Sequence, residues 1–569
     1  ITMSFFKKSN ADKKSDNTQS DAQQEKILLK ITGMTCEHCA RSVEKIIHSN
    51  PGIVSANVQF QEGKGEVIFN PETVSKEEIV AAINRSASYR AQLNTNHVNS
   101  NHFDLIIIGG GSAAFSAAIR AEALGLSTLM VNAGLPFGGT CVNVGCVPSK
   151  TLIRAAEAAY HASHSNFSGI KPKGFEMDFA QVIKDKKALV HTLQQKKYIE
   201  VVQDFKQLTM INGWAAFEDA KTIVVNGKDK YTALKFIIAT GATTNVPNIE
   251  GLDSIGYLTN VSLFDLEEQP TSITIMGAGY IGLEIAMAYN RFGTKVRIIE
   301  FTDRVLRTQT PDISEEIEKH MRNEGIEILP NFRAVKFEKS GNNTIIHCKR
   351  PDGSITQLVE PGKVVVASGT KANTEKLGVE KIGLQLTAKG HIHVNEMMET
   401  NLPNIYAVGD VANTPAFVYT AAYEGKIAVE NAFTGSENKT DYTALPWVVF
   451  TDPQVAGVGL DEAQAEAANI PYEVSKVTLD NVPRSLAAND TRGFIKLVRN
   501  KETDVLIGAR VVAPEGGELI ELLSMAIKHK TTIKALAENI YPYLTLVEGI
   551  KLAAISFGTD VNKLSCCAS

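Results

Sequence analysis

The sequence predicts a multidomain α/β protein, with a small βαββαβ unit ahead of it and an α+β domain behind it. Three observations carry this. Strand and helix signals alternate from residue 103 to about residue 440, the pattern of sheets covered by helices. Two glycine-spaced fingerprints each stand between a strand run and a helix run. The length of 569 residues exceeds one core and, at roughly 100–200 residues per domain, suggests about three to five units. A composition of 44% hydrophobic and 21% charged residues is that of a soluble globular protein, and a formal charge of −5 provides no polyanion-binding surface, which excludes nucleic acid as an expected partner. No run of about 18 apolar residues occurs, so no membrane span is expected. The first 25 residues are polar and lysine-rich rather than signal-like, which makes the cytoplasm the expected compartment.

The elements follow in order. Residues 1–25, rich in Ser, Asn, Asp, Gln and Lys, lack apolar periodicity and read as a disordered tail. Residues 26–93 run strand (Ile27 to Thr32), helix (Glu37 to Ser49), strand (Val54 to Phe60), strand (Gly65 to Asn70), helix (Ser75 to Ser86), strand: a ferredoxin-like βαββαβ unit. The stretch NTNHVNSNH, residues 94–102, is a polar linker. The buried-strand run FDLIIIGG then opens the α/β region. Beyond it, strands at Trp447 to Thr451, Gly493 to Arg499 and Leu506 to Val512, with helical runs at Gly517 to Lys528 and Ile533 to Ala537, make an α+β interface domain over 445–565, followed by a short tail, 566–569.

Gly109, Gly111 and Ala114 form G-x-G-x-x-A directly after a strand and before an alanine-rich helix, where backbone amides at a helix start hold a pyrophosphate. Asn132 stands where an acidic ribose partner usually closes the second strand. A second fingerprint, Gly277, Gly279 and Gly282 in ITIMGAGYIGLE, has Glu300 ending its next strand. Two Rossmann-like domains thus bind two dinucleotides: a flavin held over 103–250 and 371–444, and an exchanging nicotinamide over 251–370. Glu300 and Gly282 favour NADH by the ribose-hydroxyl rule, while Arg304 and Arg307 suit the 2′-phosphate of NADPH.

The electron acceptor is expected between the fingerprints. Six of the seven cysteines fall in three close pairs, too few for a disulfide framework. In GGTCVNVGCVPSK, Cys141 and Cys146 lie five apart with a helix starting near Pro148, and a helix onset lowers a thiolate pKa. Cys348, alone in a strand run, receives no function.

This segment resembles the active-site segment of the pyridine-nucleotide disulfide oxidoreductases, and the resemblance covers about residues 103 to 569. Further matches are Thr240 and Gly241 in IIATGA and Asp410 in NIYAVGD; the family's arginine-containing G-R-x-P-N is here Gly369, Thr370, Lys371, Ala372 and Asn373. The resemblance implies FAD and NADPH as cofactors, with NADH possible, and a homodimer. It implies that Cys146 is the thiolate beside the flavin and Cys141 the outer, exchanging thiol. It also implies that Gly139, Thr140, Thr240 and Gly241 contact cofactor, that Asp410 bonds the ribityl chain, and that Lys150 and Glu284 form an ion pair near the ring. Tyr280 matches the family's aromatic gate, although a tyrosine there is equally consistent with simple packing.

Disulfide reductases of this family use a C-terminal histidine as base, but here Tyr541 to Glu548 reads YPYLTLVE. A phenol has an ordinary pKa near about 10 and serves thiol exchange poorly at neutral pH. The chain ends LSCCAS, and Cys566 and Cys567 provide soft thiolates suited to soft metal ions. A third dithiol, Cys36 and Cys39 in GMTCEHC, resembles the heavy-metal-associated domain. Together these features resemble the mercury(II)-reducing members of the family. That resemblance implies Hg(II) as substrate, relayed from Cys36 and Cys39 to Cys566 and Cys567 of a tail reaching the partner subunit, then to Cys141 and Cys146, with Tyr198 and Tyr543 as active-site tyrosines. The rival readings are a dihydrolipoamide dehydrogenase-like disulfide reductase with an added metal domain and, for residues 27 to 93 alone, a metal chaperone.

Overall fold

A computed structural model describes residues 25–34, 37–60, 63–86, 89–93, 101–560 and 563, in two compact units that divide between Ser100 and Asn101. Residues 1–24 of the expected tail, most of the linker, Cys36, Cys566 and Cys567 lie outside the described residues, and Glu25 already belongs to the first strand.

The first unit is a four-stranded antiparallel sheet in the order Ile53–Gln59, Lys64–Phe69, Glu25–Thr32, Arg90–Leu93. Alternation in its first strand turns Ile27, Leu29 and Ile31 inward. Helix Glu37–His48 meets them with Ala40, Val43 and Ile47, spaced at three and four residues so that they share one face. Helix Lys76–Asn84 is fixed at its start by a capping box between Ser75 and Glu78, an arrangement worth about 1 kcal/mol. Cys39 lies in the first turn of the first helix, as the sequence predicted.

The second unit holds a seven-stranded mostly parallel sheet, a four-stranded parallel sheet, and antiparallel sheets of two, three and five strands. In the first, Leu208–Asn212, Thr128–Asn132, His102–Ile108 and Asp229–Ile238 run parallel, and Thr222–Val225 and Ala215–Asp219 extend the edge. Strand Ile405–Ala407 returns after the second parallel sheet to pair with Asp229–Ile238, so the first nucleotide region is assembled from two stretches of chain. The second sheet orders Glu327–Pro330, Lys295–Glu300, Ser272–Met276 and Lys363–Val366, all parallel. Its strands are near-continuous apolar runs because both faces are covered.

The C-terminal region is a five-stranded antiparallel sheet, Trp447–Val449, Gln454–Gly459, Leu506–Ala513, Phe494–Asn500, Tyr472–Thr478, with helix Gly516–Lys528 packed on it. Two of these strands, Gln454–Gly459 and Tyr472–Thr478, lie beyond the three that the sequence signals predict. QVAGVG hides its strand character because Gly457 is required where a Cβ would lie 2.3 Å from the Trp447 ring. The helix expected near Pro148 begins at Cys146. Pro148 sits within its first turn, where a missing N–H removes no helical hydrogen bond. Among the described residues no helix is long and apolar enough to cross a membrane.

Candidate active site

A cavity of about 540 Å³ opens where the first fingerprint, the cysteine segment and the returning strand meet; Gly111, Thr140, Cys141, Cys146, Lys150, Gly241 and Asp410 all line it. Behind its wall lies backbone that tolerates no side chains. Gly109 has φ +132°, and a Cβ there would stand 2.1 Å from the Ala239 carbonyl oxygen; at Gly139, φ +64°, it would stand 2.6 Å from Gly111 Cα. Helix Ser112–Ala123 starts at Gly111 with no side-chain cap on its first amides. Close backbone and uncapped amides at a helix start suit a pyrophosphate, so the residues present fit a bound dinucleotide. Asn132 is buried, with its amide donating to the Leu135 carbonyl at 2.9 Å and its side chain against Gly110.

The two cysteines are free thiols of opposite character. Cys146, first residue of its helix, is lowered to about 7, chiefly by the hydrogen bond from the Cys141 thiol and further by the charge of Lys150, against the opposing effect of burial. Cys141 is pushed well above the ordinary thiol range by that same hydrogen bond and by burial. The pair therefore holds one thiolate and one proton near neutral pH. Lys150 Nζ lies 2.7 Å from Glu284 Oε2 and 4.4 Å from the Phe450 ring centroid. The other Glu284 oxygen accepts from the Phe450 amide at 3.0 Å. Tyr198, in the π-turn Gln195–Ile199, shares a 2.9 Å hydrogen bond with Ser112 and packs edge-on to Phe115. Its phenol is raised by burial and further by the negative charge of the cysteine pair. Burial likewise raises the Asp410 carboxyl.

A second cleft, about 640 Å³, is lined by Gly277, Gly279, Tyr280, Glu300, Phe301, Arg307 and Arg333. A Cβ at Gly279 would meet nothing within 4 Å, and helix Tyr280–Arg291 again starts without a side-chain cap. Glu300 is buried, its carboxylate accepting from the Ala278 amide at 2.7 Å and the Thr302 amide at 2.8 Å. Arg304 turns away to Asp303 and the Gln309 carbonyl. Arg307 and Arg333 are the basic side chains that line this cleft.

The sequence-predicted residues thus divide. Gly111, Thr140, Cys141, Cys146, Lys150, Glu284, Gly241, Asp410 and Tyr280 share one cavity wall. Gly109, Ala114, Gly139 and Gly282 shape the turns behind it; a Cβ at Gly282 would lie 2.1 Å from the Gly277 carbonyl oxygen. Thr240 does not line the cavity: its hydroxyl donates to the Asn373 carbonyl, and the Asn373 amide donates back to the Thr240 carbonyl, both at 2.9 Å. That reciprocal pair is what the departing segment Gly369 to Asn373 provides. Tyr543 is 52% exposed and is not in the cavity wall. Cys348 is fully buried and its thiol is pushed up to about 11, an inert core residue. Sequence reasoning missed Ser112, which lies inside the first fingerprint, and Tyr419, Phe450 and Arg333, which no local motif marks.

Profiles of known families match the same regions: pyridine nucleotide-disulphide oxidoreductase over 103–425, its dimerisation domain over 445–554, and the heavy-metal-associated domain over 28–90. The chain belongs to the pyridine nucleotide-disulphide oxidoreductase family, as a flavin-dependent oxidoreductase that uses FAD and NADPH. Among its relatives are named mercuric reductases. That of Staphylococcus aureus is 39% identical, over 95% of this chain and 98% of its own. That of Lysinibacillus sphaericus is 37% identical, over 95% and 100%, and that of Streptomyces lividans 40% identical, over 82% and 98%. A solved structure, the HOCl-induced flavoprotein disulfide reductase RclA from Escherichia coli, superposes with a TM-score of 0.70 at 27% identity, covering 79% of this chain and 99% of that one.

Proposed function

We propose that the protein reduces thiol-bound Hg(II) to elemental mercury at the expense of NADPH, as a detoxifying homodimer in the cytoplasm. The observation that carries this reading is the Cys146 thiolate served by a chain whose C-terminal Tyr541 to Glu548 supplies phenols and no imidazole. Similarity to mercuric reductases over 95% of the chain supports it.

Gly111 and the uncapped amides of helix Ser112–Ala123 would hold the FAD pyrophosphate, and Asp410 would take the ribityl chain. Gly277, Gly279 and the next helix start hold NADPH, with Arg307 at its 2′-phosphate. FAD held there would supply two-electron transfer between NADPH and the cysteine site. Lys150, fixed by Glu284, keeps positive charge beside Cys146 and so favours the thiolate. Cys141 and Cys146 hold Hg(II) between two sulfurs, which suits its linear coordination. The balance is Hg(SR)₂ + NADPH + H⁺ → Hg(0) + NADP⁺ + 2 RSH: both Hg–S bonds break, Hg(II) gains two electrons, and each thiolate leaves with a proton. Cys36 and Cys39 collect the ion and Cys566 and Cys567 of the partner's tail deliver it, with Tyr198 and Tyr543 limiting how many thiolates bind at once. The domain limits read from the sequence, 26–93, 103–250 with 371–444, 251–370 and 445–565, assign one part of this sequence to each domain.

The test follows NADPH oxidation by the purified holoenzyme with Hg(II) in excess small thiol, and separately with lipoamide and oxidised glutathione. Turnover is expected on Hg(II). Turnover on a disulfide with none on Hg(II) would overturn the reading and favour the disulfide reductase.

A further inference from the structure

Tyr280 lines both cavities, so its ring stands between the nicotinamide cleft and the flavin cavity. The residue packed against it comes from neither nucleotide region. The Trp447 ring, from the first strand of the C-terminal sheet, lies 5.6 Å from the Tyr280 ring at 34°. On the other side the Tyr280 hydroxyl accepts from Gln309 Nε2 at 3.4 Å, a long contact. Trp447 is therefore the aromatic ring packed on Tyr280.

The sheet holds the indole in place. Trp447 pairs in register with Gly457, where a Cβ would lie 2.3 Å from the indole, so the missing side chain makes room for the ring. The Arg510 guanidinium lies 5.7 Å from the ring centroid. Arg510 is itself buried and donates to the Val458 and Ala509 carbonyls at 3.0 and 2.9 Å, so it does not yield. The segment that follows is registered along the helix that Tyr280 opens. The Phe450 amide donates to Glu284 at 3.0 Å, the Asp452 amide meets Met287 Sδ at 2.9 Å, and the Asp452 carboxylate pairs with Arg291 at 2.9 Å. Positions 280, 284, 287 and 291 form one helical face, so the indole is held level with the tyrosine.

We propose that Trp447 is a positioning residue of the gate: it holds the Tyr280 ring closed between the two cavities and thereby sets the affinity for the nicotinamide nucleotide. This rests on reading Tyr280 as a gate that must move aside for the nicotinamide. When the binding-competent state is only a fraction of the population, the apparent dissociation constant rises by the inverse of that fraction. An aromatic pair of this geometry shifts such a balance by about two- to tenfold. Removing the indole therefore strengthens nucleotide binding rather than weakening it, a direction that general damage to the site does not give.

The test uses the FAD-loaded enzyme and reads NADP⁺ binding by titration calorimetry and iodide quenching of flavin fluorescence without nucleotide. W447A is expected to bind NADP⁺ about two- to tenfold more tightly and to show greater quenching, with W447F near the parent in both. W447L, which keeps apolar bulk in the slot, is measured alongside and is expected to follow W447A, so that a poorly folding alanine variant still leaves a result. Unchanged or weaker NADP⁺ binding with unchanged quenching in W447A or W447L overturns the proposal. Y280A separates the two readings. If it alters both measurements while the Trp447 variants alter neither, only the Trp447 inference fails; if Y280A also alters neither, the gate reading fails with it.

Discussion

Cys141 and Cys146 share a cavity yet hold opposite protonation, because one hydrogen bond raises the donor and lowers the acceptor while Lys150 adds its charge on the side of the thiolate. For a thiol whose pKa is lowered, the anion forms as pH rises through the shifted value. Alkylation of the reduced enzyme at Cys146 by iodoacetamide is therefore expected to rise about tenfold per pH unit below 7 and level off above it. Lys150→Met removes the charge that favours the anion and moves the inflection up; Glu284→Gln removes the charge that opposes it and moves the inflection down. Mass-spectrometric alkylation rates across pH check both directions. Lys150→Met also leaves the buried Glu284 carboxylate without its cation, at a cost toward the lower end of about 3–5 kcal/mol since Lys150 is itself partly exposed. The cysteines, Lys150 and Glu284 were legible in the sequence because a motif or a family match marks each. Tyr419 and Arg333 were not, because their places in the two cavity walls come from the path of the chain and from no local spacing.

At the scale of elements, the two strand-to-helix turns are the proposed nucleotide sites, and several glycines in them answer to a measurable collision. Gly282 faces the Gly277 carbonyl so closely that a methyl group would stand 2.1 Å from its oxygen. Gly282→Ala is expected to weaken NADP⁺ binding at least tenfold while leaving FAD content at the parent level, with an overpacking cost of about 1–3 kcal/mol; flavin absorbance and calorimetric titration measure the two outcomes. These turns were readable because glycine spacing, strand and helix coincide. Strand Gln454–Gly459 was not, since alternation fails where a sheet is covered on both faces and a glycine is reserved for a neighbour's indole. The start of the helix at Cys146 rather than near Pro148 has a similar cause: proline marks a first turn without marking its first residue.

Across the whole molecule, the second unit is tied together by ions that span its regions. Lys496 in the C-terminal sheet is almost wholly buried and reaches Asp312 of the nicotinamide region at 3.1 Å and Glu462 at 2.7 Å. Burial works against the Asp312 anion, but the Thr310 hydroxyl and Lys496 outweigh it and hold the carboxyl at about 2. A carboxyl lowered in the folded state adds stability above its ordinary pKa, 3.8, and loses it as pH falls toward about 2. Asp312→Asn is thus expected to lower stability at pH 7 by no more than about 2 kcal/mol and to flatten the loss between pH 4 and 2, as read by denaturant unfolding at each pH. The first unit is compact by itself, and removing residues 1–100 is expected to leave FAD content and turnover in excess thiol unchanged. The two sheets that carry glycine-spaced turns were foreseeable from alternation and glycine spacing. The long-range ion pairs were not, because no local pattern links residue 312 to residue 496. The central claim, that electrons from NADPH end on mercury, is tested most directly by trapping the elemental mercury evolved from thiol-bound Hg(II) per NADPH oxidised. The account predicts one atom for each NADPH, and NADPH consumption without evolved mercury would contradict it.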